Sequence, residues 1–377
     1  MLDVAIVGGG PVGSALAALA APSGLSIAIF EARAGPSGDR RTLALSHASR
    51  ERLEEAGAWP AGATAIASIH ISQRGGPGRT LLEAREQGLP ALGYTVAYAA
   101  LEAALAERLR AAGVAVHHGA ACEALRLAPD AATLRLGSGE EVRARLLVIA
   151  DGGASAAKIP GIAFDEKDYG QQAIVGAVRT DRPHAGRAYE RFTNEGPLAL
   201  LPVEDRYALV WTAAPDRARA LLALEDAAFL AALQDAFGDR AGRFASVAER
   251  NMFALRLRTV NTPVALRTAI VGNAAQALHP IAGQGLNLGL RDAAALADLV
   301  CATEPAAVGE AAMLAAYREA RRRDAARGVA FTDFLVSAFA DGRRIPTWGR
   351  GLALAALDLV PAARRILAER MIHGAPT

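Results

Sequence analysis

The segment DVAIVGGGPVGSALAALAA, residues 3–21, joins a strand pattern to a helix pattern through a glycine-rich turn. Its apolar run VAIV is typical of a parallel strand that is covered on both faces. Gly8, Gly10 and Gly13 then match G-x-G-x-x-G, and alanine and leucine follow at helical spacing. The first glycine permits a tight turn, the second lets backbone approach a diphosphate, and the third lets helix and strand pack closely. We therefore predict that a dinucleotide binds here, with its diphosphate at the N-terminus of the helix.

A second strand pattern, SIAIFEAR at residues 26–33, follows this helix and ends close to an acidic residue. Glu31 lies 23 residues beyond Gly8, where a carboxylate can accept hydrogen bonds from the ribose hydroxyls of an adenosine. A glycine motif alone is weak evidence, because such turns also occur as packing devices. The complete strand–helix–strand context with its terminal acid favours a dinucleotide. At this point both NAD and FAD fit the pattern.

The composition indicates a globular chain and excludes several other classes. The 377 residues, 52% of them hydrophobic, are enough for two or more packed units. A net charge of +2 and the lack of an aromatic-plus-basic repeat argue against nucleic acid as a partner. The two cysteines, Cys122 and Cys301, are predicted to be buried free thiols rather than a disulfide or metal ligands, and we expect no metal site. Neither a signal-peptide layout nor an apolar run of about 18 residues is found, so a cytoplasmic location is expected.

Two later segments repeat the change from strand to glycine-rich turn. VRARLLVIADGGASAAK, residues 142–158, is an apolar strand pattern that ends in Asp151 and Gly152. TAIVGNAAQALHPIAGQGLNLGLRDAAALADLV, residues 268–300, passes through a nearly uncharged glycine-rich stretch into a long apolar helix pattern. Glycine at such positions lets backbone lie against a flat ring that larger side chains would block. The simpler alternative is a glycine-rich loop that only connects a strand to a helix.

Together, the three segments resemble the sequence signatures of the flavoprotein aromatic hydroxylases, the single-component FAD monooxygenases built like para-hydroxybenzoate hydroxylase. GNAAQALHPIAGQGLNLGLRD at 272–292 and RTLALSHASRERLEEAGAW at 41–59 resemble most closely the branch that hydroxylates ubiquinone precursors. Shorter matches extend the resemblance over essentially the whole chain. It implies an α/β fold in which a Rossmann-like FAD-binding domain carries an inserted antiparallel β-sheet substrate domain and a C-terminal helical region. The corresponding ranges are 1–70, 96–165 and 265–312 for FAD, 71–95 and 166–264 for substrate, and 313–377 for the C-terminal region.

The resemblance also implies a set of site residues. Asp151, Gly152 and Ser155 occupy a motif that meets both FAD and the nicotinamide, and Gly272 and Asn273 occupy the motif that meets the ribityl chain. The cofactor-binding residues expected in full are Gly8, Gly10, Pro11, Val12, Gly13, Glu31, Ala32, Arg41, Asp151, Gly152, Ser155, Gly272, Asn273, Gly283, Gln284, Gly285, Leu286 and Asn287.

Two catalytic positions, His279 and Pro280, are expected in the same glycine-rich stretch. Pro280 would direct the backbone beside flavin C4a, where oxygen adds in the family. His279 is open to two interpretations: it contacts substrate or moves a proton, or it is a helix-start residue bonded to backbone. Lys158 stands where the family usually has arginine, so a point charge replaces a planar guanidinium that can bind with two N–H groups.

The activity implied by the resemblance is aromatic-ring hydroxylation with NAD(P)H and O2 through a flavin C4a-hydroperoxide. The substrate is expected to be a small molecule, a prenylated phenol in ubiquinone biosynthesis. No second G-x-G-x-x-G occurs, so NAD(P)H is expected to visit the flavin transiently. One alternative is an FAD monooxygenase of another phenolic or secondary-metabolite substrate. Another is a non-catalytic scaffold subunit in a biosynthetic complex.

The C-terminal region carries 11 arginines and 6 acidic residues between Arg318 and Arg370. Arginine clusters beside apolar pieces are found on surfaces that contact anionic lipid, which suits peripheral contact with the inner face of a membrane. A solvated arginine face over a packed helical cap explains the same pattern. The pattern predicts no oligomeric state.

Overall fold

The computed structural model describes residues 1–76, 78–278 and 283–340, and for residues 329 and 331–340 it describes the backbone only. The helices and strands in these ranges are, in chain order, β1 (Leu2–Val7), α1 (Pro11–Ala20), β2 (Ile27–Glu31), β3 (Thr42–Ser46), α2 (His47–Glu55), β4 (Thr64–Ile66), β5 (Ser68–Gln73), β6 (Arg79–Glu83), β7 (Gly93–Ala97), α3 (Tyr98–Ala111), β8 (Ala115–His118), β9 (Cys122–Leu127), β10 (Ala132–Leu136), β11 (Glu141–Ile149), β12 (Phe164–Thr180), β13 (Arg187–Phe192), β14 (Pro197–Val203), β15 (Arg206–Ala213), α4 (Pro215–Leu222), α5 (Asp226–Phe237), β16 (Phe244–Val260), β17 (Val264–Ala265), β18 (Thr268–Ile270), β19 (Gln276–Ala277), α6 (Gln284–Ala302) and α7 (Ala311–Ala340).

The first sheet is mixed: β18, β11, β1, β2 and β8 run parallel, as the opening segment predicts, whereas β17, β10 and β9 pair antiparallel. Its strand order is β17-β18-β11-β1-β2-β8, and β10 and β9 extend it from β11. β1 runs parallel to both β2 and β11, so the turn after β1 lies beside the turn after β11. Val4 and Ile6 pack towards α1, α3 and α6, whereas Ala5 and Val7 pack towards β10 and its neighbours. The run is therefore apolar at every position because both faces of β1 are buried.

The second sheet is mainly antiparallel, in the order β19-β16-β12-β15-β14-β13-β5-β6. Its only parallel pair in the described part of the chain is β13 with β5. Successive residues of β15 point to opposite faces of the sheet. Those on one face pack on α4 and α5; they are Tyr207, Leu209 and Trp211. This leaves the other face of the sheet free to form the wall of a cavity.

The antiparallel substrate sheet expected within residues 166–264 is accompanied by two helices, α4 and α5, that the sequence analysis did not predict. Phe229, Leu233 and Phe237 of α5 lie four residues apart and are all buried, which is the spacing of one helix face. Alanine-rich composition weakened the contrast between the two faces in the sequence. Both helices cover the second sheet on the side away from the first.

A small third sheet, β3-β7-β4, connects the two large ones. β3 contacts α6, and Thr95 of β7 donates a hydrogen bond from Oγ1 to the carbonyl oxygen of Pro202 on β14. β5 begins at Ser68 and belongs to the second sheet, whereas β7 belongs to the third. The division of residues 1–312 into cofactor and substrate domains remains a prediction.

The expectation of two buried thiols is wrong for Cys301, which is exposed on α6; Cys122 is partly buried, and both are free. None of the helices in the described ranges combines the length and apolar composition needed to cross a bilayer. Most of the predicted arginine clusters, from Arg343 onwards, lie outside the described residues.

Candidate active site

A cavity of about 1350 Å³ lies between the glycine-rich turns of the first sheet and the free face of the second. Pockets for single small molecules usually measure roughly 300–1,000 Å³, so this one has room for a large cofactor together with a second molecule. The predicted site residues that line it are Gly10, Pro11, Val12, Arg41, Gly152, Asn273, Gly283, Gln284, Gly285, Leu286 and Asn287. Positions far apart in the sequence thus meet at one surface.

Three glycines of this surface, Gly10, Gly152 and Gly285, leave open space beside the backbone. A Cβ placed on any of them would have no protein atom within 4 Å. Each glycine belongs to a different turn: after β1, after β11 and at the start of α6. The backbone is therefore bare where a flat ring or a diphosphate would have to approach closely.

The helix starts at this surface have no side-chain caps. Gly10 is the N-cap residue of α1, Pro11 follows it, and no side chain accepts from the first N–H groups. Gly283 caps α6 with a φ of 62° and likewise offers no side chain. Uncapped N–H groups and the helix dipole both favour an anionic group at such an end. The α1 start suits a diphosphate, and the α6 start suits a ring edge that becomes negative on reduction.

Other predicted residues do not line the cavity: Ala32 is exposed, and six lie behind or beside the turns, namely Gly8, Gly13, Glu31, Asp151, Ser155 and Gly272. A Cβ on Gly13 would lie 2.1 Å from the carbonyl oxygen of Gly8, and a Cβ on Gly8 would lie 2.7 Å from Ala150 and Asp151. The Asp151 carboxylate accepts hydrogen bonds from the backbone N–H groups of Gly153 and Ser155, each at 2.9 Å. These contacts hold the first two turns against each other.

Glu31 contacts the protein in this structure. Its Oε2 accepts a hydrogen bond of 2.7 Å from the backbone N–H of Gly9, and its Oε1 lies 3.0 Å from Nε of Arg33. Burial alone would raise the pKa of Glu31, but the hydrogen bonds from Arg33 and Gly9 hold it below the usual value. The carboxylate is therefore ionised at the end of β2, and its contact with a ribose remains a prediction. Ala32, beside it, is exposed.

Asn287 fixes the start of α6 in place. Its Oδ1 accepts hydrogen bonds from the backbone N–H of Ser46 at 2.8 Å and from the hydroxyl of Ser49 at 2.7 Å. Its Nδ2 donates to the carbonyl oxygens of Ala44 and Gly283 at 3.0 and 2.9 Å. The amide thus joins α6 to β3 and α2, a positioning task that the sequence motif did not indicate. His279 and Pro280, the two predicted catalytic residues, lie outside the described residues.

Residues 1–332 match the protein family described as FAD binding domain. The chain belongs to this family. Ubiquinone hydroxylase UbiL of Rhodospirillum rubrum is 36% identical, with 97% of this chain and 88% of that protein covered. The 3-demethoxyubiquinol 3-hydroxylase of Escherichia coli is 34% identical, with 79% of each chain covered. FAD is accordingly the cofactor, and the chain is an FAD-dependent monooxygenase.

The fold agrees with that of solved flavin hydroxylases. The structure of p-nitrophenol 4-monooxygenase PnpA from Pseudomonas putida superposes with a TM-score of 0.78 and 20% identity, covering 100% of this chain and 99% of the other. The predicted α/β fold with its Rossmann-like FAD-binding unit is thereby confirmed. The bare glycines described above fit the family cofactor.

Arg258 of β16 is a cation in the cavity wall that the sequence analysis missed. Its guanidinium donates a hydrogen bond to the carbonyl oxygen of Gly152 and lies over the ring of Phe164, 4.8 Å from the centroid. Gly153, in the same turn, has a φ of 103°, a backbone conformation that favours glycine, and Nη2 of Arg258 lies 2.6 Å from the position that a Cβ would take. Lys158, by contrast, donates a bond of 2.6 Å to the carbonyl oxygen of Cys122. The positive charge beside this turn therefore comes from β16.

Arg41 lines the cavity from the loop before β3. Its Nη2 lies 2.6 Å from Oδ2 of Asp39, and its side chain is largely exposed. Asn273 is also exposed at the cavity wall, within the short turn Gly272–Ala274. Both residues line the cavity, and their contacts with FAD remain predictions.

A buried ion pair holds the turn at Gly272 from the opposite side. The Asp292 carboxylate on α6 accepts a bond of 3.0 Å from the backbone N–H of Gly272 and one of 2.7 Å from Nε of Arg321 on α7. Asp292 is 2% exposed and Arg321 is 7% exposed. Arg321 also lies 2.7 Å from Asp324, and these two carboxylates raise the pKa of its guanidinium although burial opposes them. The C-terminal helix thus stabilises the flavin-binding surface.

Glu190 is a second residue that the sequence analysis missed. It lies on β13, lines the cavity, and its Oε1 is buried with no hydrogen-bond partner among the described residues. Burial raises its pKa to about 7. The segment RAYERF resembles an ordinary sheet pattern with alternating charged residues, so no sequence signal distinguished this carboxylate from an exposed one.

Replacing Gly285 by alanine should separate cofactor binding from folding. The added methyl enters empty space in the cavity, and alanine favours a helix over glycine by up to about 1 kcal/mol, so the FAD-free protein should be as stable as before or more stable. Its affinity for FAD should fall, because the methyl group occupies the space for the ring. Urea unfolding and FAD fluorescence titration measure the two effects.

Gly289→Ala on the same helix is the matched control for this experiment. Its Cβ would lie 2.8 Å from a methyl of Val12 and 3.0 Å from Cα of Gly272, so it should destabilise the FAD-free protein by about 1–3 kcal/mol. Unchanged FAD affinity in Gly285→Ala would contradict the position assigned to the ring.

Removing the Arg321 side chain should strongly destabilise the protein. Arg321→Ala leaves Asp292 as a buried charge without its partner, which typically costs about 3–5 kcal/mol. Arg322→Ala, the adjacent control, removes an exposed pair with Glu319 and should change the free energy of unfolding little. Urea unfolding of both variants tests this, and equal effects would show that the buried pair is not needed.

Replacing Glu190 by glutamine should remove a pH-dependent loss of stability. The folded-state pKa of about 7 exceeds the ordinary 4.5, so the folded protein binds the proton more tightly and loses stability as pH rises from about 4.5 through 7. The melting temperature of Glu190→Gln relative to wild type should therefore increase between pH 5 and pH 8. Glu195→Gln, in the nearby turn, should show no such trend. A constant difference for Glu190→Gln would contradict the raised pKa.

Proposed function

We propose that the enzyme hydroxylates the aromatic ring of a prenylated phenol in ubiquinone biosynthesis, with NAD(P)H as reductant and O2 as oxidant. The observation that carries this proposal is the cavity itself, which has bare backbone for a flavin on one wall and an apolar sheet face on the other. The two relatives named above, from Rhodospirillum rubrum and Escherichia coli, bear ubiquinone-pathway names. Their names support the substrate class.

The residues of the first sheet would hold and orient the cofactor. The uncapped N–H groups of α1 would bind the diphosphate, while Gly152 and Gly285 would allow the rest of the molecule to lie against backbone. Arg258 would add positive charge beside the second turn. When bound, FAD supplies the oxygen-transfer chemistry, and the protein contributes position and a dry environment.

The free face of the second sheet would hold the substrate. Apolar side chains from four strands cover much of it and would pack against a ring and an isoprenoid chain; they are Val175, Ala188, Ala199, Leu201, Ala208 and Val210. Apolar contact of this kind gains about 25 cal/mol for each Å² removed from water. A long prenyl group would therefore add considerably to affinity.

The proposal includes a cytoplasmic location and peripheral contact of residues 313–377 with the membrane that holds such substrates. In the arginine cluster at residues 321–323, Arg321 faces the protein interior, and Arg322 pairs with Glu319 on the surface. The exposed arginines would therefore be the ones that contact lipid. Membership of a ubiquinone-biosynthesis complex is part of the same proposal.

The substrate assignment is tested by reconstituting the protein with FAD and following NAD(P)H oxidation. A prenylated phenol should stimulate oxidation and acquire one oxygen atom, detected by mass spectrometry. Complementation of bacteria that lack single ubiquinone hydroxylases should then remove one accumulated intermediate. Stimulation by small phenols but not by prenylated ones would favour the alternative hydroxylase of other phenolic compounds. FAD binding without any complementation would refute the ubiquinone assignment.

A further inference from the structure

The carboxyl group of Glu190 stands on an otherwise apolar part of the substrate wall. Glu190 pairs with Ala199 of β14 on one side and with Ile71 of β5 on the other. Directly paired residues share a face of the sheet, and the next pairs extend this row through Val210 to Val175. Every nearest neighbour in the row is therefore aliphatic and offers no hydrogen-bond donor.

Glu190 does not behave like a structural carboxylate. Buried polar groups in folded proteins nearly always have a partner, because burial without one is costly. Oε1 of Glu190 has none among the described residues, in contrast to the fully bonded carboxylates of Asp151 and Asp292. A small neighbour, Ala199, leaves the space beside it open to the cavity. Oε1 is therefore available to accept a hydrogen bond from a ligand in the cavity.

No charged group of the packed strands accounts for the state of Glu190. The residues of β14 include no titratable side chain, and His70 of β5 pairs with Tyr189, on the opposite face. Arg191 of β13 also points to that face, where it donates to Ser72 and to the carbonyl oxygen of Ala236. Burial alone raises the pKa of Glu190 to about 7. The carboxyl group can therefore change its protonation near neutral pH.

We propose that Glu190 accepts the hydrogen bond of the substrate's phenolic hydroxyl and takes its proton during the reaction. This inference rests on the proposed function, since it requires a phenol in the cavity. It makes Glu190 a catalytic residue on the second sheet, in addition to the predicted His279 and Pro280.

The proton transfer balances within the site. The phenolic O–H bond breaks, its electron pair stays on the substrate oxygen, and a new O–H bond forms on Glu190. The pair delocalises into the ring and makes the positions ortho and para to the oxygen more nucleophilic, as attack on an electrophilic oxygen requires. The ring hydrogen then leaves as a proton to the solvent, aromaticity returns, and Glu190 gives its own proton back to the substrate oxygen. A base with a pKa near the working pH suits this exchange.

The test compares a phenol with its methyl ether on the FAD-loaded enzyme. Wild type and Glu190→Gln are titrated with 2-allylphenol and 2-allylanisole at pH 8 by isothermal calorimetry. The variant should bind the phenol at least about 10-fold more weakly, the size of a lost hydrogen bond to a charged group, and bind the ether as wild type does. Glu195→Gln should match wild type with both ligands. Equal phenol affinity in wild type and Glu190→Gln, or equal loss of both ligands, would overturn the inference.

Turnover gives a second and independent measurement. With the phenol, kcat/KM of wild type should rise as pH increases through about 7, and Glu190→Gln should lose this rise. Glu190→Asp should recover part of it, because the carboxylate is retained. A rise that persists in Glu190→Gln would assign the base to another group. A different result would refute the proposed function itself: wild type with FAD would oxidise NAD(P)H without transferring oxygen to any phenol.

Discussion

The site depends on the close approach of backbone turns that carry no side chain where they meet. Gly13 must lie against the carbonyl oxygen of Gly8, and Gly8 against the turn at Ala150. On the other side, Gly272 and Gly289 let α6 approach Val12 of α1. Any Cβ at these points would separate the turns and widen the surface on which one extended cofactor must lie. The glycines behind the surface set its shape, whereas those that face the cavity leave room for the ligand.

The features predicted from sequence are those encoded by local spacing. G-x-G-x-x-G after an apolar run identifies a strand, a turn and a helix because each glycine has a steric reason to be there. The same holds for the glycine-rich start of α6, which begins at Gln284. These elements form the cofactor side of the cavity. The family resemblance then supplied the identity of the cofactor, which spacing alone left open.

The substrate side could not be predicted in the same way. Whether Glu190 is exposed or buried depends on Ile71, Ala199 and the strands beyond them, which come from distant parts of the chain. Arg258 reaches Gly152 across more than a hundred residues, and no motif connects the two. α5 was missed because alanine is common on both its faces, and α4 is a short helix of only eight residues. Tertiary contacts determine these features, and local patterns carry little information about them.

The Asp292–Arg321 pair has a consequence for the order in which the molecule is assembled. During synthesis, the turn at Gly272 and the whole of α6 leave the ribosome before Arg321 does. Until α7 docks, the carboxylate of Asp292 faces this turn without its neutralising partner, and the surface for the flavin lacks its final support. Stable binding of the cofactor would therefore follow completion of the C-terminal helix. Chains that end before Arg321 would retain FAD poorly.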